Sequence, residues 1–145
     1  MKILFLCVAN SARSQMAEGI ARYEFGDSVE VLSAGSQPTT LNPLAVKSLQ
    51  EINIDIGHHQ SKSIDAIDLK TIDLIITLCA DEICPLVIGK QQKKNWPFPD
   101  PANPNLTRNE QIAKFSEVRD QLIEKIRGLK QELGIEPRNR IKAKM

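Results

Sequence analysis

Lys2-Ile3-Leu4-Phe5-Leu6-Cys7-Val8-Ala9-Asn10-Ser11-Ala12-Arg13-Ser14-Gln15-Met16-Ala17-Glu18 decides how the chain is read. Residues 2–6 form a short apolar, strand-like run. Cys7 to Ser14 make a tight loop. From Gln15 to Arg22 a helical rhythm takes over, with Met16, Ile20 and Tyr23 expected on one side. A loop between the C-terminal end of a strand and the N-terminus of a helix gathers backbone N–H groups that have no intrahelical partner. The positive end of the helix dipole adds to them, so residues 8–14 (Val8, Ala9, Asn10, Ser11, Ala12, Arg13 and Ser14) are read as an oxyanion-binding loop. The loop carries a thiol and a guanidinium in the pattern C-x5-R-S. N–H groups, dipole and Arg13 all favour thiolate over thiol at Cys7, and thiolate is the nucleophile. Arg13 offers a tetrahedral anion two parallel donors, which Lys cannot do. The plain alternative is a buried Cys that ends a strand, followed by an incidental Arg.

At 145 residues the chain is expected to form one domain, residues 1–134, with a basic, flexible C-terminal tail at 135–145. The tail from Glu136 carries four basic residues and little else. No apolar run approaches the roughly 18 residues of a membrane span. The N-terminal apolar run is too short for a signal peptide, so a cytoplasmic location is expected. A net charge of +1 gives no global pull toward nucleic acid or membrane, and neither partner is expected. Three cysteines in a reducing compartment argue for packing or redox roles rather than a disulfide framework. The two histidines are adjacent, His58-His59, and there is no Cys-x-x-Cys, so no metal site is expected.

Further along, Gly26 ends the first helix and Val29–Leu32 reads as a second strand. Ser33-Ala34-Gly35-Ser36 reads as a small-residue loop able to pass close to the anion loop. Asn42-Pro43 looks like a cap and first helical residue, for a helix to about Glu51. Residues 58–64 read as a polar loop and Asp65–Leu69 as a short helix. Thr71–Leu78 is a continuous β-branched run and the clearest buried strand. It ends at Cys79-Ala80-Asp81-Glu82-Ile83-Cys84. In a parallel α/β sheet function gathers beyond the C-terminal ends of the strands, so Cys7 and Cys79 are expected on one rim. Leu86–Gly89 is read as a further extended piece, Lys90–Lys94 as a cationic turn, and Asn95–Ala102 as irregular. That last segment delivers one carboxylate, Asp100, between two prolines. Ile112, Phe115, Val118, Leu122, Ile126, Leu129 and Leu133 mark a long helix from Asn109. The order β-α-β-α…β…β-α implies an α/β fold with a parallel sheet covered by helices.

The chemistry starts with Cys7 attacking a tetrahedral oxyanion held by the loop and Arg13. A leaving oxygen needs a proton, and Asp100 is the best-placed acid in the sequence. Its plain alternative is a turn aspartate capping backbone. If the central atom is phosphorus, water breaks the Cys7 adduct and the protein is a phosphatase. If it is arsenic, a second thiol can take the adduct apart and two electrons pass to arsenic. Cys79 and Cys84 are available as that thiol and a third, although Cys84 also reads as a small buried residue beside a proline.

The loop and Asn10-Ser11-Ala12-Arg13-Ser14-Gln15-Met16-Ala17-Glu18-Gly19 resemble the low-molecular-weight tyrosine phosphatase superfamily, and more closely its arsenate reductase branch. The resemblance covers the chain to about Gly134. It implies a single-domain, three-layer α/β/α fold around a mainly parallel four-stranded sheet. It implies that Asp100, in an Asp-Pro, is the general acid. It implies that Cys79 attacks Cys7 and that Cys84 then attacks Cys79, the disulfide being reduced by thioredoxin. There is then no bound cofactor, an external thiol reductant is required, arsenate is the substrate with phosphate or sulfate as mimics, and the protein works as a monomer. Departures stand beside it. The Cys79–Cys84 segment is short, so glutaredoxin with glutathione could instead reduce a Cys7–Cys79 disulfide. Ala12 replaces a second loop cysteine found in many members. Several members bind potassium with an acid at the position of Lys62, together with the equivalents of Asn10, Glu18 and Ser33. Here the Lys62 ammonium is expected to replace that ion. The alternative function is a tyrosine phosphatase with incidental redox cysteines. A third reading, a non-catalytic oxyanion or redox sensor, fits poorly with a complete Cys7, Arg13 and Asp100 set.

Overall fold

Four parallel strands in the order β2-β1-β3-β4 make the sheet: β1 (Lys2–Cys7), β2 (Glu30–Gly35), β3 (Leu74–Thr77) and β4 (Gln92–Asn95). Three α-helices, α1 (Arg13–Phe25), α2 (Pro43–Gln50) and α3 (Arg108–Glu132), accompany it in this computed structural model, which describes residues 1–80 and 89–135. The alternation of side chains along a strand splits the core in two. Ile3, Phe5, Val31, Leu74 and Ile76 face a core shared with all three helices. Leu4, Leu6, Ala34 and Ile75 face the other way, beneath Ile64 and Leu69 of two 3-10 turns at Ile64–Ala66 and Leu69–Thr71 and Ile67 between them.

Local chemistry explains the helix ends. Leu44 N–H donates to Asn42 Oδ1 at 2.8 Å and Pro43 opens α2, as the sequence predicts. Thr107 and Glu110 form a reciprocal capping box that starts α3. Gly26 closes α1 with a φ of 61°, a conformation glycine takes without penalty. Helix α3 is held against α1 by Glu24, which meets Arg127 at 3.0 Å and Lys130 at 3.1 Å. Its buried stripe is Phe115, Val118, Leu122, Ile126 and Leu129, five of the seven residues read from periodicity, with Ile112 and Leu133 partly buried.

Several expectations need correction. Ser33, Ala34 and Gly35 are not a loop; they extend β2 and pair with Phe5, Leu6 and Cys7. Tyr23 is not on the packed side of α1 but is 58% exposed, while Ala17, Ala21 and Phe25 fill the core. The Asp65–Leu69 helix is replaced by the two 3-10 turns, and the third strand begins at Leu74 rather than Thr71. The cationic turn at Lys90–Lys94 is largely strand β4. It forms an edge of the sheet with mostly exposed side chains, so it carries none of the apolar alternation that marks a half-buried strand, and lysines suit an edge. The extended piece expected at Leu86–Gly89 falls outside the described residues except for Gly89, which is in a bend. The tail from residue 136 also falls outside them.

Candidate active site

The strand order reverses between β1 and β3: the chain leaves β1 for β2 on one side and returns to β3 on the other. Loops diverge at such a switch point and leave a crevice beyond the strand ends. Cys7 ends β1 there. Leu78 N–H donates to Leu6 O at 2.9 Å, which continues the β1–β3 register and sets Cys79 one residue past Cys7 on the same rim. Both sulfur-bearing residues are buried. Cys7 is a free thiol, whereas Cys79 is disulfide-bonded. Cys84 lies outside the described residues.

The geometry of residues 8–12 follows from which way their carbonyls turn. Val8 O accepts from Gln37 N (2.9 Å), Ala9 O from Thr39 N (3.1 Å) and Ser11 O from Asn42 N (2.9 Å). Asn10 O accepts from Ser61 Oγ (2.7 Å). In a planar trans peptide the C=O and the following N–H point in opposite directions. Four carbonyls turned onto the scaffold therefore turn the N–H groups of Ala9, Asn10, Ser11 and Ala12 inward. Asn10 demonstrates it: its N–H lies 3.2 Å from Cys7 Sγ. Close approach of β2 is essential to this zipper, because a Cβ at Gly35 would run into Val8 O and stand 3.0 Å from Asn10 N. The small residues expected to let backbone pass the loop do so, although from a strand.

Helix α1 then begins at Arg13 with no side-chain cap from Ala12, and the positive end of its dipole faces the loop. Ser14 Oγ lies 2.8 Å from Cys7 Sγ and receives Asn10 Nδ2 at 2.8 Å. Because Asn10 donates to this hydroxyl, the hydroxyl's own hydrogen stays available to point at the sulfur. Arg13 is buried and donates from Nη1 to Phe98 O at 2.9 Å and to Leu78 O at 3.4 Å. These bonds tie the loop to both the β3 end and the proline-rich segment. Trp96 and Phe98 anchor that segment in the core, their N–H groups donating to Thr77 O and Leu78 O. Asp100 follows two residues on. It is exposed, and its Oδ1 accepts from Ala102 N–H at 2.9 Å. The turn-capping role is thus present, and it leaves the other carboxylate oxygen available for a proton.

Asn10 is the hub. It is fully buried with a φ of 50°, and its side chain joins Ser14, Ser33, Lys62 N and Gln15 at 2.8 to 3.0 Å. Ser33 in turn donates to Glu18, which meets Arg22 at 2.8 Å and Lys62 Nζ at 3.9 Å. Sequence reading did not single out Gln15, Ser61 or Phe98 O. A Gln one residue into an apolar helix face was the available signal. A backbone carbonyl leaves none. Among the described residues no group of three His, Cys, Asp or Glu could hold a metal ion, and no helix is long and apolar enough to cross a membrane.

A parallel α/β sheet with an inward-facing amide loop, a free thiol at its base and a guanidinium on the first helical turn has the geometry of a thiol protein suited to hold an oxyanion. The family model of the low molecular weight phosphotyrosine protein phosphatases matches residues 2–139, and the chain belongs to that family. The arsenate reductase of Bacillus subtilis is 44% identical over 122 residues, covering 83% of this chain and 88% of the relative. A solved arsenate reductase in a phosphate-binding state superposes with a TM-score of 0.78 at 28% identity, covering 93% of this chain and 98% of the other. A thioredoxin-dependent arsenate reductase from Corynebacterium glutamicum gives a TM-score of 0.71 at 27% identity, covering 92% of this chain and 61% of that longer one.

Proposed function

We propose that the protein reduces arsenate to arsenite. The observation that carries the reading is the pairing of a free Cys7 in the amide loop with a second sulfur, Cys79, one register step away on the neighbouring strand end. A phosphatase has no use for that second sulfur. The relatives named arsenate reductase support the substrate.

The Cys7 thiolate attacks arsenic, and an arsenate oxygen leaves as water with a proton from Asp100. The inward N–H groups and Arg13 hold the remaining oxygens and their charge. Cys79 as thiolate then attacks Cys7 Sγ. The sulfur–arsenic electron pair passes to arsenic, arsenite departs, and a Cys7–Cys79 disulfide remains. Cys84 attacks Cys79 and returns Cys7 as a thiolate. A dithiol reductant closes the cycle. Thioredoxin is our assignment, by similarity to the thioredoxin-dependent relative, and glutaredoxin with glutathione is the alternative.

Cys7, Arg13 and Asp100 suffice to hydrolyse a phosphomonoester, so weak phosphatase activity accompanies this reading. The test is arsenate-dependent NADPH oxidation with thioredoxin and its reductase, for wild type and for Cys7→Ser, Cys79→Ser and Cys84→Ser. We expect multiple turnovers in wild type and none in Cys7→Ser or Cys79→Ser. Loss in Cys84→Ser establishes the three-thiol relay, whereas its survival with glutathione and glutaredoxin makes Cys84 structural. No turnover with either donor, beside brisk aryl phosphate hydrolysis that needs only Cys7, would replace this reading with a phosphatase.

A further inference from the structure

The chemistry above makes no use of Gln15 or His59, yet the two connect a surface loop to the nucleophile. Gln15 is completely buried on the first turn of α1. Its Nε2 lies 3.2 Å from Asn10 O, 3.0 Å from Asn10 Oδ1 and 3.0 Å from Gln60 O. All three are acceptors, so the amide can stand only one way round, with Oε1 turned to His59. His59 Nδ1 lies 3.0 Å from that oxygen. An amide oxygen only accepts, so the hydrogen is on Nδ1. At the other end, Asn10 holds a positive φ that a non-glycine residue keeps only where its surroundings enforce it. Gln15 grips both oxygens of Asn10, and Asn10 N–H points at Cys7 Sγ.

The geometry points to His59 as a positioning residue for the anion loop: its Nδ1–H orients Gln15, and Gln15 locks Asn10 in the conformation that aims its N–H at Cys7. The inference rests on the reading of Cys7 as nucleophile. Burial makes His59 harder to protonate, opposed by Glu18 and reinforced by the charges of His58, Arg22 and Lys62, but Nδ1 donates in either charge state. The link therefore holds whichever form is present.

His59→Leu removes the donor, and His59→Asn keeps an N–H near the Nδ1 position. The readouts are the rate at which iodoacetamide alkylates Cys7, followed by peptide mass spectrometry, and the protection against it by inorganic phosphate. His59→Leu should slow alkylation and weaken protection, each about five-fold, the effect of one lost hydrogen bond. His59→Asn should recover most of both. Gln15→Met cuts the chain at its middle link and should show the same loss, with His59→Leu adding nothing further in the double variant. A residue that served only packing would lower the thermal midpoint and leave Cys7 reactivity in the folded protein unchanged. That result, or a His59→Asn variant no better than His59→Leu, overturns the inference. Arsenate turnover is not among these readouts. A wild type that alkylates as expected but reduces no arsenate would refute the proposed function and leave the positioning chain intact.

Discussion

Arg13 and Phe98 are joined by a 2.9 Å hydrogen bond from the guanidinium Nη1 to the backbone carbonyl. The bond fixes the proline-rich segment, which carries Asp100 two residues on, to the first turn of α1. Asp100 also caps its own turn through Ala102 N–H, and the two roles separate in one substitution. Asn can still accept from Ala102 but cannot supply a proton. Asp100→Asn should lower kcat for arsenate and for aryl phosphates by about a hundred-fold, the scale of general acid catalysis, with an unchanged thermal midpoint. Steady-state kinetics beside a melting curve check it; wild-type kcat would leave Asp100 only the turn.

Gly35 tests whether the scaffold shapes the loop. A methyl there would run into Val8 O, which is backbone and cannot swing aside. Gly35→Ala should push the loop off β2 and destabilise the fold by about 1–3 kcal/mol, as overpacking does. Urea unfolding measures this. Phosphate binding by calorimetry should weaken as well, because Val8 O and Ala9 N–H belong to one peptide.

The site was legible where chemistry is local. Cys7, Arg13 and the helix that follows form a contiguous pattern, and Asn42-Pro43 announces its own helix. What stayed hidden depends on tertiary contact. Gln92–Asn95 is a strand because β3 offers it a ladder, not because its residues favour one. Ser33–Gly35 looked like a loop because small residues are what the close approach to Val8 requires. Tyr23 follows the helical period but lies on the exposed side of α1. The clamp on Asn10 comes from residues 15, 33, 61 and 62, a constellation that no spacing rule contains.

His59 makes stability depend on pH. Burial holds its pKa below the ordinary 6.5. The unfolded chain therefore binds the proton more readily, and stability rises with pH through this window. The contribution is complete above about pH 6.5 and is lost as pH falls through that value toward the folded pKa. Thermal midpoints from pH 7.5 down to 5 should show the decline, and His59→Asn should flatten that part of it. An equal slope in the variant would assign the decline to other groups.

Lys62 decides whether a monovalent metal has any role. Its Nζ lies 3.9 Å from Glu18 Oε1 and 3.1 Å from Gln60 O, while Arg22 meets the other Glu18 oxygen at 2.8 Å. The buried Glu18 carboxylate thus has cationic partners from the chain itself, as a buried charge requires. We expect potassium at constant ionic strength to leave kcat/KM of the wild type unchanged. Lys62→Asp withdraws the ammonium and adds an oxygen donor beside Glu18, Asn10 and Ser33, a set suited to a hard cation. That variant should lose activity in sodium or choline salts and regain part of it with potassium. A severalfold activation of the wild type would mean that the ammonium does not stand in for the ion, and that the cation is held elsewhere around the loop.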